Sequence, residues 1–246
     1  MKTLFTKLLI TLLFSMSLLH ATVKIMPLGD SITEDWYYGD NRTNAYKHSY
    51  RNHLWYKLKN VGHDVDFVGT KSNGGAIVPS FDGDYVGTTG YTCSQIASLV
   101  YSSLQQTSPD IILLHIGTND SMYHFATDMT GIESILDEID RYEQNYKTHI
   151  TVILARIVNL PKAGSWVPTF NNSLDSMAAT RVSNGDDIVM VNMQPISSLI
   201  DGIHPTNYGY SQMADIWFNA LDKAIKDKTK DDDYAYLIPV YGLLFQ

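Results

Sequence analysis

The chain contains little that could cross-link it or bind an anionic polymer. Its 246 residues include a single cysteine, Cys93, which excludes an internal disulfide framework and a cysteine-based zinc cluster. Lysine and arginine total 18 against 26 acidic residues, so the formal net charge is −8, and no basic block is present. Nucleic acids and anionic lipid surfaces are bound by clustered positive charge, and neither is expected as the main partner. The 44% hydrophobic and 18% charged residues are typical of a globular protein.

The sequence also lacks an apolar run of about 20 residues, the length that a membrane-spanning helix needs. A shorter run, Leu8–Leu19, follows Lys2 and Lys7 and precedes Ala21. A positive segment, a short apolar run and a small residue are typical of a signal peptide. We therefore expect residues 1–21 to be a signal peptide cleaved near Ala21, and the protein to be secreted or periplasmic. An ordinary N-terminal helix is the alternative.

Residues 22–228 have the pattern of one α/β domain. Continuous apolar runs, typical of buried parallel strands, alternate with amphipathic segments of helical period. Such a repeat predicts a parallel sheet with helices on both faces. Residues 229–246 combine a charged spacer with an apolar tail, whose role the sequence leaves open. The predicted strands are Val23–Leu28, Val65–Val68, Ile111–Ile116, Thr151–Ile157 and Ile188–Met193.

Local patterns predict where some helices begin and which faces they bury. Thr92-x-x-Gln95 and Thr130-x-x-Glu133 predict capping boxes at two helix starts. The glycine-rich stretch Lys71–Tyr91 is predicted to be a long loop. Two predicted helices have apolar faces, formed by Ile132, Ile135, Leu136, Ile139 and Tyr142 in one and by Tyr210, Met213, Ala214, Trp217, Leu221, Ala224 and Ile225 in the other.

Polar residues follow the predicted strands where those strands end. Ser31 follows the first strand, Gly90 ends the glycine-rich loop, and Asn119 follows the third strand. Asp201 and His204 precede the last helix. The carboxyl ends of parallel strands meet at one sheet edge, so we expect these residues to converge there. A serine, an imidazole and a carboxylate in that setting predict a site for acyl transfer.

The expected roles follow from the chemistry of each group. His204 is the candidate base that activates the Ser31 nucleophile, and Asp201 is expected to orient its ring. The backbone N–H groups of Ser31 and Gly90 and the side-chain amide of Asn119 are the candidate oxyanion donors. The chain lacks the Gly-x-Ser-x-Gly elbow of α/β-hydrolases, which indicates a different hydrolase architecture.

Each of these motifs has a structural interpretation when it is taken alone. Ser31-x-x-Glu34 fits a helix capping box, Gly90 fits a turn with positive φ, and Asn119 fits a strand-end turn. A loop histidine is the corresponding interpretation of His204. The occurrence of all the motifs in one chain, in order and at strand ends, favours the catalytic interpretation.

Other residues near these motifs have less specific patterns. Trp36 and Tyr91 are candidates for stacking against a sugar, with core packing as the alternative. Asp30 and Asp120 are expected to hold their loops by local hydrogen bonds. Arg51 is expected to tether a helix to a loop.

The motifs together resemble the SGNH, or GDSL, hydrolase superfamily over about Val23 to Ile225. They are Gly29-Asp30-Ser31-Ile32-Thr33, Gly90, Gly117-x-Asn119-Asp120 and Asp201-x-x-His204-Pro205. Segments Ser49-Tyr50-Arg51, Val65-Asp66-Phe67-Val68-Gly69 and Phe170-Asn171 further resemble the carbohydrate esterase family 3 branch, which is related to acetyl xylan esterases.

This resemblance implies a flavodoxin-like three-layer α/β/α sandwich with a five-stranded parallel sheet, no cofactor, and removal of acetyl groups from polysaccharides. The branch usually has a His-Glu pair before its second-motif glycine, where this chain has Tyr85-Val86. The identity of the substrate therefore stays open.

The histidines do not suggest a metal centre. His48 and His53 are off the i, i+4 spacing that places two ligands on one helical face, so we predict no catalytic metal. A calcium site among the acidic loops stays open.

We expect a secreted serine esterase that removes acetyl groups from a polysaccharide such as acetylated xylan, or from another small ester. A periplasmic lysophospholipase or thioesterase of the same superfamily is the first alternative. A non-catalytic carbohydrate-binding module is the second. The oligomeric state is left open.

Overall fold

The computed structural model describes residues 21–123, 128–161 and 164–244, with the backbone alone at 122–123 and 230–244. The predicted signal peptide lies outside the described residues except for Ala21. Within them, one sheet contains β1 Val23–Gly29, β2 Val65–Phe67, β3 Lys71–Ser72, β4 Asp84–Gly87, β5 Ile111–His115, β6 Thr151–Arg156 and β7 Ile188–Asn192. The helices are α1 Ser31–Glu34, α2 Ser49–Asn60, α3 Cys93–Thr107, α4 Thr118–Tyr123, α5 Thr130–Tyr146, α6 Trp166–Ser183 and α7 Asn207–Leu244, with a short 3₁₀ helix at Asn44–Tyr46.

The sheet has the doubly wound order of flavodoxin-like folds. From β1 the parallel ladder runs through β5 and β6 to β7, while the other edge of β1 is shared by two strands. β2 pairs with the first half of β1, and β4 pairs with its last two residues, Leu28 and Gly29. Only β3 is antiparallel, and it pairs with β4. The five predicted parallel strands are confirmed, each to within one residue at its ends.

Two hydrophobic clusters lie on opposite faces of this sheet and make the three-layer sandwich. One cluster packs α3, α5 and α6 against alternate residues of β1, β5 and β6, such as Leu28 and Leu114. The other packs α2 and α7 against the intervening residues, such as Ile25 and Leu113. Successive strand residues point to opposite faces, so both faces of a strand must be apolar. The predicted apolar faces of α5 and α7 lie in these clusters.

The predicted long loop Lys71–Tyr91 was wrong in one respect, because it contains β3 and β4. β4 is short and is flanked by Gly83 and Thr88, so it has no periodic signal of its own. Its ladder forms with the end of β1, which is distant in the chain. Because β4 is parallel to β1, the turn Thr88–Tyr91 that follows β4 lies at the carboxyl edge of the sheet.

Of the two predicted capping boxes, one is confirmed and one is wrong. At α3, the Thr92 N–H donates to Oε1 of Gln95 over 2.9 Å and the capping box forms. Thr130 is instead the first residue of α5, and its N–H donates to Oδ1 of Asp128 over 3.2 Å. The helix begins one residue earlier than the box requires, with Met129 at the N-cap, which removes Thr130 from the capping position.

The last helix, α7, runs to Leu244, so its backbone continues through the predicted charged spacer. Across the described ranges, no helix combines the length and hydropathy that crossing a membrane requires.

Candidate active site

Ser31 is held at the end of β1 by a tight strand-to-helix turn. Asp30 is the N-cap of α1, and its Oδ1 accepts the N–H of Ile32 over 3.0 Å. Ser31 thus begins the helix rather than capping it, which removes the capping-box interpretation of Ser31-x-x-Glu34. Its residue exposure is only 4%, so the hydroxyl sits in a largely desolvated position. Burial raises the pKa of Asp30 to about 7.

A continuous hydrogen-bond relay joins the three predicted catalytic residues. Ser31 Oγ lies 2.9 Å from Nε2 of His204, and Nδ1 of the same ring lies 2.8 Å from Oδ2 of Asp201. An ionised carboxylate can only accept, so Nδ1 carries the proton and Nε2 faces the hydroxyl with its lone pair. The ring is therefore in the tautomer that can receive the serine proton.

The backbone of the loop before α7 holds the Asp201 carboxylate in place. Oδ1 of Asp201 accepts the N–H groups of Ile203, over 3.0 Å, and His204, over 2.9 Å. Burial alone would raise the pKa of Asp201, but the backbone and ring hydrogen bonds from His204 hold that pKa below its ordinary value. Asp201 is thereby kept ionised and fixed against the imidazole.

Gly90 lies in a four-residue turn immediately after β4. The N–H of Tyr91 donates to the carbonyl of Thr88 over 3.2 Å, and Gly90 has a φ of +79°, which favours glycine. Because Gly87 pairs with Gly29, this turn lies beside Ser31 at the sheet edge. Gly90 therefore has the positive φ that its structural interpretation requires. The same residue can still offer its backbone N–H as an oxyanion donor.

Asn119 enters the same edge from β5. Its Nδ2 donates to the carbonyl of Tyr91 over 2.8 Å, which ties it to the turn that carries Gly90. A side-chain amide has two N–H donors, so one remains for a substrate oxyanion. Gly117 precedes it with a φ of +116°, and a Cβ there would lie 2.2 Å from the ring of Phe170.

The remaining predicted residues have largely structural contacts. The Asp120 carboxylate accepts the N–H of Cys93 over 3.0 Å and so fixes the start of α3, a longer-range contact than expected. Arg51 is fully buried and donates to the carbonyl of Thr33 over 3.2 Å, in keeping with a tether. Burial raises the pKa of the Cys93 thiol, which disfavours the reactive thiolate. Tyr91 packs on the core.

Two residues near the site were missed by the sequence analysis. Glu34 contacts the turn at Thr89 rather than its own helix start. Tyr37, the neighbour of the candidate Trp36, places its ring centroid 6.4 Å from that of His204. The run of three aromatics at 36–38 was the available signal, and it follows a left-handed residue, Asp35, with a φ of +66°.

A cavity of about 230 Å³ is lined in part by Tyr37 and by Pro205, the residue that follows His204, although His204 itself is not among its lining residues. Its walls are mostly polar or aromatic, formed by Asp35, Tyr37, Arg42, His48, Ile200, Pro205, Asn207 and Tyr210. Among the residues with described side chains, no group of three or more histidine, cysteine, aspartate or glutamate residues is arranged to hold a metal ion.

Residues 25–217 match the profile of the GDSL-like lipase/acylhydrolase family. The chain belongs to this family. The chain is 29% identical over 238 residues to a multidomain esterase of Ruminococcus flavefaciens, a match that covers 83% of this chain and 29% of that protein. It therefore spans less than a third of that relative.

Solved structures share the architecture of this chain. A family 3 carbohydrate esterase from Clostridium thermocellum superposes with a TM-score of 0.71 at 28% identity, covering 85% of this chain and 100% of that one. A family 3 carbohydrate esterase from Talaromyces cellulolyticus also gives a TM-score of 0.71, at 24% identity, covering 84% and 99% of the two chains. The expected family and three-layer fold are thus confirmed.

Proposed function

We propose that this GDSL esterase removes acetyl groups from a polysaccharide through a serine acyl-enzyme. The observation that carries the proposal is the relay from Ser31 through His204 to Asp201. A hydroxyl hydrogen-bonded to an imidazole that is itself oriented by an ionised carboxylate is the arrangement that makes serine nucleophilic.

The proposed reaction has two steps. Ser31 attacks the ester carbonyl carbon while its proton passes to Nε2 of His204, and the alcohol leaves with that proton. Water then attacks the acyl-enzyme and gives a proton to the same nitrogen. The bond from the acyl carbon to Ser31 Oγ breaks as that proton passes to Oγ, and acetic acid departs and ionises to acetate. In both tetrahedral intermediates the oxyanion is stabilised by the N–H groups of Ser31 and Gly90 and by the amide of Asn119.

The polar cavity lined by Tyr37 and Pro205 supports a sugar as part of the substrate. Its volume of about 230 Å³ and its aromatic and hydrogen-bonding walls suit a hydroxyl-rich ring better than a long acyl chain, which needs an apolar groove. The family 3 carbohydrate esterase from Clostridium thermocellum, which is 28% identical to this chain, supports the same class of substrate.

The first experiment compares 4-nitrophenyl acetate, butyrate and octanoate as substrates for residues 22–246, alongside Ser31→Ala. Acetate-selective hydrolysis that the variant loses is the expected result. Faster cleavage of octanoate would overturn the acetyl assignment in favour of a lipid esterase or thioesterase. Equal rates for parent and variant would overturn the serine mechanism and move the proposal to a binding module.

The sugar assignment has its own test in two adjacent tyrosines. Tyr37→Ala should raise the KM for acetylated xylo-oligosaccharide by roughly two- to tenfold, the worth of one aromatic contact, and leave ethyl acetate hydrolysis unchanged. Tyr38→Ala is the matched control, because that ring is 90% exposed and outside the cavity. Equal effects of the two variants would remove the cavity from substrate binding.

We also propose that residues 1–21 direct export. The protein recovered from the periplasm or medium should then begin at Thr22. An intact N-terminus on active, exported protein would contradict this cleavage.

A further inference from the structure

The candidate oxyanion donors reach the site from separate segments of the chain. Ser31 follows β1, whereas Gly90 lies three residues beyond the last paired residue of β4, Gly87. The sheet ladder therefore ends before the turn that carries Gly90. Some other contact must set the distance between these two donors.

We propose that Glu34 is a positioning residue that fixes the Thr88–Tyr91 turn relative to Ser31. Glu34 lies in the same one-turn helix as Ser31, and its carboxylate reaches across to the turn. The inference rests on the proposed function, because it assigns to Glu34 the placement of the Gly90 N–H in the oxyanion site.

The contacts on the turn side are short and paired. Oε2 of Glu34 accepts both the backbone N–H and the hydroxyl of Thr89, each over 2.7 Å. Hydrogen bonds to an ionised acceptor are shorter and stronger than neutral ones. Lys71 supports the same turn, because its Nζ donates to Oγ1 of Thr88 over 3.0 Å and lies 3.9 Å from Oε1 of Glu34.

The other end of the tether is also held. The Glu34 N–H donates to the carbonyl of Asp30 over 3.0 Å, which keeps α1 as a closed turn around Ser31. The Glu34 carbonyl accepts Nδ2 of Asn73 over 2.9 Å, and the buried Arg51 donates to Thr33 next to it. A movement of Glu34 would therefore be resisted from both sides.

The position of the carboxylate excludes two simpler roles. It does not cap α1, since Asp30 holds the N-cap position. It is not a solvated surface charge either, since its side chain is 18% exposed and accepts from the turn. What remains is a rigid link between the nucleophile helix and the oxyanion turn.

Such a link should act on the transition state more than on the substrate. Displacing a catalytic group by about 1 Å costs on the order of 10²-fold in rate. An oxyanion donor is used only once the tetrahedral intermediate forms, so its loss lowers kcat with little change in KM. Glu34→Ala should therefore lower kcat by roughly 10- to 100-fold and leave KM within about threefold of the parent.

The experiment measures kcat, KM and thermal unfolding for Glu34→Ala, Glu34→Gln and the parent on 4-nitrophenyl acetate. The glutamine amide oxygen can still accept both Thr89 donors, so Glu34→Gln should recover much of the lost kcat. Glu133→Ala, at an exposed glutamate in the first turn of α5, is the control and should match the parent.

Variants on the other side of the contact cover the case in which Glu34→Ala does not fold. Thr89→Val removes the hydroxyl donor and should lower kcat, whereas Thr89→Ser keeps it and should not. A lower unfolding temperature with unchanged kcat would overturn the inference, because it would show a structural role only. Inactive Ser31→Ala beside a fully active Glu34→Ala would defeat this inference alone. Full activity of Ser31→Ala would defeat the proposed function and this inference with it.

Discussion

Two clusters in this molecule contain a hydroxyl, an imidazole and a carboxylate, and they lie at opposite edges of the same sheet. At the carboxyl edge, the His204 ring stands between Ser31 and Asp201. At the amino edge, Oδ2 of Asp187 accepts the hydroxyl of Thr151 over 2.6 Å and lies 3.2 Å from Nε2 of His149. The carboxylate is in the middle there, so the hydroxyl faces an acceptor that is a weak base.

The two clusters also differ in how far water reaches them. The His149 side chain is 69% exposed, whereas His204 is 8% exposed as a residue. Hydrogen bonds and charges act more strongly where water is excluded. The same three groups therefore make a candidate nucleophile at one edge and a surface ion pair at the other. The order of the contacts and the burial decide the chemistry.

The largest expected difference in kcat is between the variants that remove the two imidazoles. His204→Ala should lower kcat for acetyl esters by on the order of 10⁴–10⁶-fold, because the serine loses its base. His149→Ala should leave kcat unchanged. Steady-state hydrolysis of 4-nitrophenyl acetate measures both, and similar losses in the two variants would erase the proposed distinction.

Substitutions of the two carboxylates should differ in their effect on kcat by nearly as much. Asp201→Asn keeps the shape but lets the ring adopt the wrong tautomer, so kcat should fall by about 10³–10⁴-fold. Asp187→Asn is the matched change at the other edge and should leave kcat within twofold. Values of kcat measured for both variants across a pH series test this difference. Wild-type kcat in Asp201→Asn would rule out the orienting role.

Asn119 tests the candidate oxyanion donors at the carboxyl edge. Asn119→Ala should lower kcat by about 10²–10³-fold, the usual cost of one such donor. Asn145 is a control, since its Nδ2 donates to the Tyr101 hydroxyl far from the site. Asn145→Ala should leave kcat unchanged, and an equally small effect at Asn119 would remove it from the oxyanion site.

A smaller effect concerns stability and a third histidine, His115, at the end of β5. Its ring is fully buried, and neither ring nitrogen has a partner among the described side chains, so burial lowers its pKa to about 4. An unfolded chain binds that proton near pH ~6.5, so stability is complete above this pH and falls as pH drops toward 4.

The expected loss is about 3 kcal/mol, from a pKa difference of roughly 2.5 units at 1.36 kcal/mol each. Urea unfolding at pH 7 and pH 4 should show the parent losing about that much more than His115→Leu, which cannot titrate. Identical losses in the two proteins would contradict the assignment of this pH dependence to His115.

The sequence was most informative where a pattern is local. Buried strands such as Ile111–His115 appear as continuous apolar runs, and the face of α5 appears as a helical repeat. The site residues could be predicted because each follows a strand, and parallel strands bring their ends together. Asp201 and His204 are three residues apart, so even their pairing was local.

Contacts between distant segments were not predictable in the same way. The sequence offered Glu34 as a capping residue, but its partner Thr89 belongs to a turn that depends on β4 pairing with β1. No spacing pattern linked His149 to Asp187 or His63 to Asp222, although both pairs form. These contacts depend on where the chain returns, and local periodicity does not encode that.

The sequence by itself thus determined the class of fold, the buried strands and the set of groups available for acyl transfer, because burial patterns and strand-end motifs are read along the chain. Only the tertiary structure decided that Tyr37 lies near His204 and that Glu34 reaches Thr89. Those outcomes depend on side-chain direction and on hydrogen bonds between separate segments, which exist only once the sheet has formed.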